Sequence, residues 1–332
     1  MALNAVVLGG GGFIGSNLCR RLTADGFTVR AVDTTFYPWR DPGCGTRRLD
    51  LRSYEAAVHA VRGADWVFHL AADMGGVGYF HSDADWGAAV TNGLITNNVL
   101  RAVDPGQRVF YSSSACCYPV EHQMDVGFVP ALGEGMIGYG TPDALYGAEK
   151  LHGLRLCSKM PNARVGVLHT VYGPLQEHEG RRMKFPAAVT TKAIAARQSG
   201  RLELWGDGSQ RRSYLYIDDA VEKIMRIMQA DDYAGPVNVG AAGAVTCRQV
   251  AEVALRLAGA EGAEIVTNPA EPSGVMARDC DNTKFDATYG PVPQTSIEDG
   301  VGKFMGWLDG LAPTTATRTA PDRAVMPDPI RR

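Results

Sequence analysis

The feature that most constrains this chain is a glycine cluster, GGGGFIG at residues 9 to 15, set between an apolar run (Ala5 to Leu8) and a stretch with helical spacing through Leu18 and Leu22. This order predicts a strand, a tight turn and a helix. Gly9, Gly12 and Gly15 fall in a GxxGxxG pattern. Glycine suits these places because the turn is tight, a pyrophosphate must meet bare backbone, and the helix must lie close on the sheet. Phe13 and Ile14, in the same turn, are further candidates on the cofactor side. Asp33 closes the next apolar run (Val29 to Val32), 18 positions beyond Gly15, where a carboxylate can accept both hydroxyls of a ribose. Thr34 and Thr35 follow it in place of a basic residue, which favours NAD over NADP. Asp50, expected at the end of the third strand, is a candidate for the adenine edge and equally for a solvated strand-end acid.

Further strands are predicted at 66 to 70, 109 to 111 and 165 to 168, with helices at 53 to 62, 84 to 103 and 143 to 158. Strands and helices alternating at this spacing imply parallel crossovers, hence an α/β fold of the Rossmann type, with a doubly wound parallel sheet covered on both faces. Beyond residue 170 the rhythm changes. Helices are expected at 186 to 198, 218 to 229 and 246 to 258, and short strands at 202 to 205, 213 to 216 and 236 to 239. We read residues 1 to 169 as a dinucleotide-binding domain and 170 to 311 as a smaller mixed α/β substrate domain, with some chain crossing back. Residues 312 to 332, rich in Pro, Thr, Ala and Arg without apolar periodicity, read as a flexible tail.

Composition removes several classes of function. A net charge of -3 gives no bulk attraction to nucleic acid or an anionic membrane. The seven cysteines are scattered and contain no CxxC pair, so neither a disulfide framework nor a metal site is expected. No signal-peptide pattern opens the chain and no run approaches the ~18 apolar residues of a membrane helix, so a cytoplasmic protein is expected. Only seven of the 33 basic residues are lysines, and each lysine then calls for a reason.

Tyr146 and Lys150 form a YxxxK pair in a segment of helical character, so they share one helix face. An ammonium beside a phenol favours the phenolate and lowers the tyrosine toward the working range of a general base. SSSACCYP, at 112 to 119, directly follows a predicted strand and so lies at the carboxyl edge of the sheet, where doubly wound folds bind ligands. Ser114 can there bond a hydroxyl that is being oxidised.

GGGGFIG, HLAA (69 to 72), SSSACCYP, YGAEK and YGP resemble the extended branch of the short-chain dehydrogenase/reductase superfamily, the NAD-dependent nucleotide-sugar epimerases and dehydratases. More narrowly, AADMGGVGYF (71 to 80), SSACCYP (113 to 119), RRMKFPAAV (181 to 189) and WGDGSQRRSYLYIDD (205 to 219) resemble the GDP-mannose 3,5-epimerase family, over nearly all the chain up to about residue 310. The resemblance implies an isomerase with bound NAD that is regenerated in each cycle. Tyr146 takes a hydroxyl proton, a 4-keto sugar forms, and its acidified C3 and C5 hydrogens are exchanged by an acid/base pair that falls on Cys116 and Lys184. It places Leu70, Ala71 and Ala72 beside NAD. On the substrate side it places Gly76, Ser114, Ala115, Cys116, Thr170, Lys184, Lys192, Gln210, Arg212 and Arg278, the two arginines at the diphosphate and nucleotide. Lys184 and Lys192, eight apart, are expected on nearly one face of a helix. Cys117 is read as buried core.

Three departures bear on the sugar: Met183 stands where a glutamate is usual, Thr170 where an asparagine is usual, and HSDADWG (81 to 87) differs from the usual loop. The resemblance also implies a homodimer through a helix bundle of the first domain. The Arg, Ala and Gly bias is that of high-GC bacteria and by association points to specialised pathways such as antibiotic sugar biosynthesis. Two other enzyme readings stay open. C4 epimerisation by rotation of a keto sugar needs only Ser114, Tyr146 and Lys150; a 4,6-dehydratase would want acids where Ala115, Cys116 and Cys117 stand. A non-catalytic dinucleotide sensor is the remaining alternative.

Overall fold

The structure is a computed structural model and describes residues 2–80, 84–180 and 182–311. The expected tail at 312 to 332, and residues 81 to 83 of the departing loop, lie outside the described residues.

Seven parallel strands form the main sheet, in the order Val237–Val239, Ala163–Leu168, Arg108–Ser114, Trp66–His69, Asn4–Leu8, Thr28–Asp33, Gly45–Arg48. The first strand pairs with Thr28–Asp33 on one side and Trp66–His69 on the other, with Leu8 in register with both Val32 and His69. Chain direction across the sheet therefore reverses beside the first strand, and the crevice beyond its carboxyl end is where a ligand is received. The expected α/β architecture is present.

Apolar runs serve this sheet because both of its faces are buried. Along the first strand, Ala5 and Val7 join one core, while Val6 and Leu8 join the other, as the two-residue period of a strand requires. The first core is closed by helices Phe13–Ala24 and Ile217–Gln229, through Leu18, Leu22, Ile224 and Met228. The second is closed by helices Tyr54–Val61, Ala84–Ala102 and Ala144–Cys157, through Ala57, Val99 and Leu154. Each such Val or Leu contributes about 1.5–3 kcal/mol by leaving water.

The strand Val237–Val239 returns from the later half of the chain to extend the main sheet beside Ala163–Leu168. The rest of that half forms small sheets. Arg211–Arg212 lies between Val245–Thr246 and Ala277–Cys280, and Ala131–Leu132 completes the set. Tyr214–Tyr216 pairs with Thr170–Tyr172, and Glu264–Asn268 with Arg201–Trp205. The strand expected at 213 to 216 is Tyr214–Tyr216, and Arg211–Arg212 just before it is a separate strand in another sheet. Among the described residues no helix is long and apolar enough to cross a membrane, and no group of three His, Cys, Asp or Glu side chains is placed to hold a metal.

Candidate active site

The crevice begins at the glycine turn. Gly9 has φ 87°, a left-handed conformation that glycine adopts without strain, and a Cβ there would stand 2.8 Å from the nitrogen of Ala71. A Cβ on Gly15 would overlap the Gly9 carbonyl. These glycines therefore seat the helix Phe13–Ala24 against the sheet and the turn against Leu70 and Ala71. The helix starts at Gly12 with no side-chain cap and no acidic residue in its first turn, which leaves N–H donors and the positive dipole end open to an anion. Asp33, at the end of its strand, accepts from the backbone nitrogens of Gly11 at 3.2 Å and Thr34 at 2.7 Å, so its carboxylate is fixed at the lip of the turn. Asp50 is clasped by Arg52, whose Nη2 lies 2.6 Å away and holds the carboxyl below its ordinary value.

The next part of the crevice is built by the strand Arg108–Ser114 and the helix Ala144–Cys157. Ser114 ends its strand and accepts from the backbone nitrogen of Cys116 at 3.2 Å, so Ala115, Cys116 and Cys117 turn back over the sheet edge. A Cβ on Gly147 would collide with the Cys116 carbonyl; its absence lets this turn lie on the helix that carries Tyr146 and Lys150. The start of that helix is strained, with Ala144 at φ 60°. Its first free N–H groups are met from a neighbouring helix, where the Asp85 carboxylate accepts from Leu145 at 3.0 Å and Tyr146 at 3.3 Å.

Tyr146 and Lys150 are buried. The Lys150 ammonium stands 5.7 Å from the Tyr146 ring centre and 3.5 Å from the Glu149 carboxylate. Burial holds the Tyr146 phenol well above its ordinary value, Cys116 and Glu149 push the same way, and a hydrogen bond with Ser114 opposes them. The lowering expected from Lys150 is outweighed by this desolvation. Lys184 comes from a separate segment, just ahead of the helix Ala187–Ser199. Burial lowers its ammonium from 10.5 to about 8, with the charge of Cys116 opposing and that of Lys150 assisting. Ser114, Cys116, Tyr146, Lys150 and Lys184 thus form one electrostatically connected group. Cys117 is buried and its thiol is pushed up to about 12, consistent with a core residue.

The other substrate-side candidates are placed less uniformly. Lys184 lies ahead of the helix Ala187–Ser199, which starts after Pro186, so it does not share a helix face with Lys192. The Lys192 ammonium instead donates to the Glu203 carbonyl at 3.0 Å and lies over the Trp205 ring. Gly76 meets the Met183 carbonyl, which takes the space of a Cβ, so this glycine permits two loops to touch. Gln210 donates to the Trp205 carbonyl and keeps its own buried oxygen without a hydrogen bond. Thr170 opens its strand half-buried. Arg212 donates to the carbonyls of Arg211 and Val275. Arg278, its register partner on the next strand, is buried against Cys116, Gln123 and Asp143.

The sequence profile of the NAD dependent epimerase/dehydratase family matches residues 5–240. The chain belongs to the NAD-dependent epimerase/dehydratase family. Among relatives of this epimerase/dehydratase, GDP-mannose 3,5-epimerase 1 of Oryza sativa subsp. japonica is 35% identical over 317 residues, covering 92% of this chain and 82% of the relative. GDP-mannose 3,5-epimerase of Arabidopsis thaliana is 34% identical over the same shares. The solved UDP-glucose 4-epimerase of Thermotoga maritima shares the fold, with a TM-score of 0.80 at 22% identity and coverage of 93% and 99% of the two chains. The cofactor of the family is NAD. The residues present fit it: Gly9, Gly12 and Gly15 let the turn and helix close on each other without a Cβ in the way, the helix start at Gly12 carries no side-chain cap, and Asp33 is fixed at the lip of the turn.

Sequence spacing missed several positioning residues of this epimerase/dehydratase. Besides Asp85, Gln123 and Asp143, an ion pair joins Arg182 to Asp73 at 2.6 Å, with Tyr79 donating to Asp73 at 2.9 Å. This clasp ties the loop after the HLAA segment to the loop that carries Lys184. Apart from the Tyr79–Asp73 bond, each is a contact between distant parts of the chain, which no local pattern reports.

Proposed function

We propose that this chain is an epimerase of a GDP-linked, mannose-like sugar that works through a transient 4-keto intermediate, with Cys116 and Lys184 as its acid/base pair. The observation that carries the reading is that Cys116 stands between the two sides of the site: its charge acts on Tyr146, which bonds Ser114, and also on Lys184, which comes from a separate segment and feels Lys150 as well. NAD, when bound, supplies a reversible acceptor for the C4 hydride. Ser114 and Tyr146 orient the sugar hydroxyl, and Tyr146 takes its proton. Lys150, beneath the same ring, compensates the negative charge as it forms. The ketone acidifies the carbon-bound hydrogens beside it. Cys116 and Lys184 then remove a proton from one face and return one to the other. A lysine brought to about 8 suits proton transfer near neutral pH.

The division near residue 169 into a cofactor domain and a sugar-nucleotide domain belongs to the same proposal, as does a cytoplasmic homodimer. Trp86, Val90 and Leu94 are exposed on helix Ala84–Ala102, four residues apart and so on one face, and Leu145 and Leu156 are exposed on the helix packed beside it. Water-facing apolar stripes of this kind are buried when two copies pair.

The test is incubation of the purified protein with GDP-mannose and then other GDP-hexoses. A product of unchanged mass, inverted at C3 or C5 and absent with Cys116→Ala, supports the reading. Loss of water would indicate a dehydratase, and inversion at C4 that survives Cys116→Ala would indicate rotation of the keto sugar; either result overturns the proposal.

A further inference from the structure

The clasp between the loop after the HLAA segment and the segment that carries Lys184 is built from more than one ion pair. Arg182 Nη1 donates to Asp73 Oδ1 at 2.6 Å and to the Met74 carbonyl at 2.7 Å, and its Nη2 donates to the Tyr79 hydroxyl at 3.1 Å. That hydroxyl passes its own proton to Asp73 Oδ2 at 2.9 Å, and the guanidinium lies 4.2 Å from the centre of the Tyr79 ring. The two charged side chains are half-buried, and a lone pair so placed contributes little. Here the charge-assisted bonds are shared with a backbone carbonyl and a phenol, which fixes direction as well as attraction.

One side of the clasp is anchored. Asn92, fully buried on helix Ala84–Ala102, accepts from the Asp73 backbone nitrogen at 2.6 Å and donates to the Asp73 carbonyl at 3.1 Å. The same helix receives the start of the Tyr146 helix through Asp85. The other side leads to Lys184. Immediately after Arg182, the Met183 carbonyl lies against Gly76, where a Cβ would overlap it. Lys184 follows, and its carbonyl accepts from the Ala188 nitrogen at 3.0 Å. The lysine is thus held from both ends, and the end toward Arg182 is referred to the helix that also seats Tyr146.

We propose that Asp73 and Arg182 are positioning residues that fix the place of Lys184, so that proton exchange on the sugar depends on their pairing while the C4 hydride step does not. The proposal rests on the reading of Lys184 as an acid/base group. Ser114, Tyr146 and Lys150, which serve the hydride step, are placed by the strand Arg108–Ser114 and the helix Ala144–Cys157. Lys184 instead stands on irregular backbone ahead of helix Ala187–Ser199, where the clasp supplies the rigidity that a helix or strand would give. The charges acting on it are those of Cys116, on the turn after the strand, and Lys150, on the neighbouring helix. A reacting group displaced by about 1 Å loses on the order of a hundredfold in rate. The planar fork of arginine reaches a carboxylate, a carbonyl and a phenol at once, which a lysine at 182 could not do.

Two measurements decide the proposal. Asp73→Ala removes the carboxylate and leaves both backbone bonds to Asn92, so the loop keeps its anchor; retained NAD checks that the variant is folded. The first measurement is the titration of Lys184 in the substrate-free holoenzyme, by competitive labelling with acetic anhydride across pH and peptide mass spectrometry. Its midpoint is expected near 8 in wild type and displaced toward the ordinary 10.5 in Asp73→Ala, because a released lysine is taken up by water. Asp73→Asn, which keeps an acceptor for Arg182, is expected to titrate close to wild type. A midpoint common to wild type and Asp73→Ala overturns the proposal. The second measurement uses GDP-mannose in deuterium oxide. Asp73→Ala is expected to lower label entry at C3 and C5 by about a hundredfold, while bound NAD is reduced at the wild-type rate, followed by its near-ultraviolet absorbance. Equal losses in both steps would show a general support for the fold and also overturn it. If the wild-type protein transforms no nucleotide sugar, the function proposed above fails while the titration of Lys184 still decides the role of the clasp.

Discussion

Replacing Lys184 by Met should make the protein more stable while abolishing isomerisation. Burial moves the Lys184 ammonium from 10.5 to about 8, and at about 1.36 kcal/mol per pH unit this places roughly 3 kcal/mol against the charged form in the folded state. Met keeps an unbranched apolar stem of similar reach and removes the charge, so near neutral pH it recovers up to about 3 kcal/mol, less whatever stem packing is lost. The sign with pH follows from proton linkage. Below about 8 the lysine is charged in both states and the full penalty is present; between about 8 and 10.5 the unfolded chain binds more protons, so wild-type stability rises with pH. The Met variant lacks that rise. Urea unfolding followed by tryptophan fluorescence, in wild type and variant across this range, measures both effects. A variant less stable than wild type near neutrality, or one with the same rise in alkaline solution, would refute the assignment of Lys184 to a desolvated site.

Tyr146→Phe removes the phenol while keeping the ring, and turnover should fall by about 10²–10⁴, the usual worth of a positioned acid or base, with bound NAD retained when the protein is denatured and its cofactor assayed. Gly15→Ala drives a Cβ into the Gly9 carbonyl, and the purified variant should carry little NAD. Asp85→Ala withdraws the acceptor of two helix-end N–H groups; a loss of about 1 kcal/mol in stability and a lower kcat at normal NAD content are expected. Leu94→Glu, which places a charge in the exposed stripe beside Trp86 and Val90, should convert dimer to monomer in sedimentation velocity, and a wild-type protein that sediments as a monomer would sink the dimer proposal.

The main sheet was legible because its signals are local. GGGGFIG needs glycine for the turn at Gly9 and the close packing at Gly15, and the apolar runs at 5 to 8, 29 to 32 and 66 to 70 are short enough to be strands buried on both faces. Gly45–Arg48, by contrast, is an exposed edge strand without one apolar side chain, and only the end of it, near Asp50, was anticipated. The strands Glu264–Asn268 and Ala277–Cys280, and the helices Thr283–Tyr289 and Ile297–Gly310, went unread in the later half. Ala277–Cys280 matters most there, because it delivers Arg278 to Cys116. In the site, YxxxK spacing identified Tyr146 and Lys150 but said nothing of how deeply they are buried, and burial decides the direction of the Tyr146 shift. The eight-residue spacing of Lys184 and Lys192 suggested one helix face, and Pro186, as helix cap, separates them. Arg278 was legible by resemblance as a cation of the substrate side and not as a neighbour of the thiol, since Cys116, Asp143 and Gln123 lie more than a hundred residues away in sequence.

Solvent deuterium reports most directly on the proton transfer assigned to Cys116 and Lys184. The holoenzyme is incubated with GDP-mannose in deuterium oxide, and the recovered sugar nucleotides are read by NMR. Deuterium at C3 or C5, lost with Cys116→Ala while NAD stays bound, is the expected result. Isomerised sugar without solvent label at either carbon would contradict it.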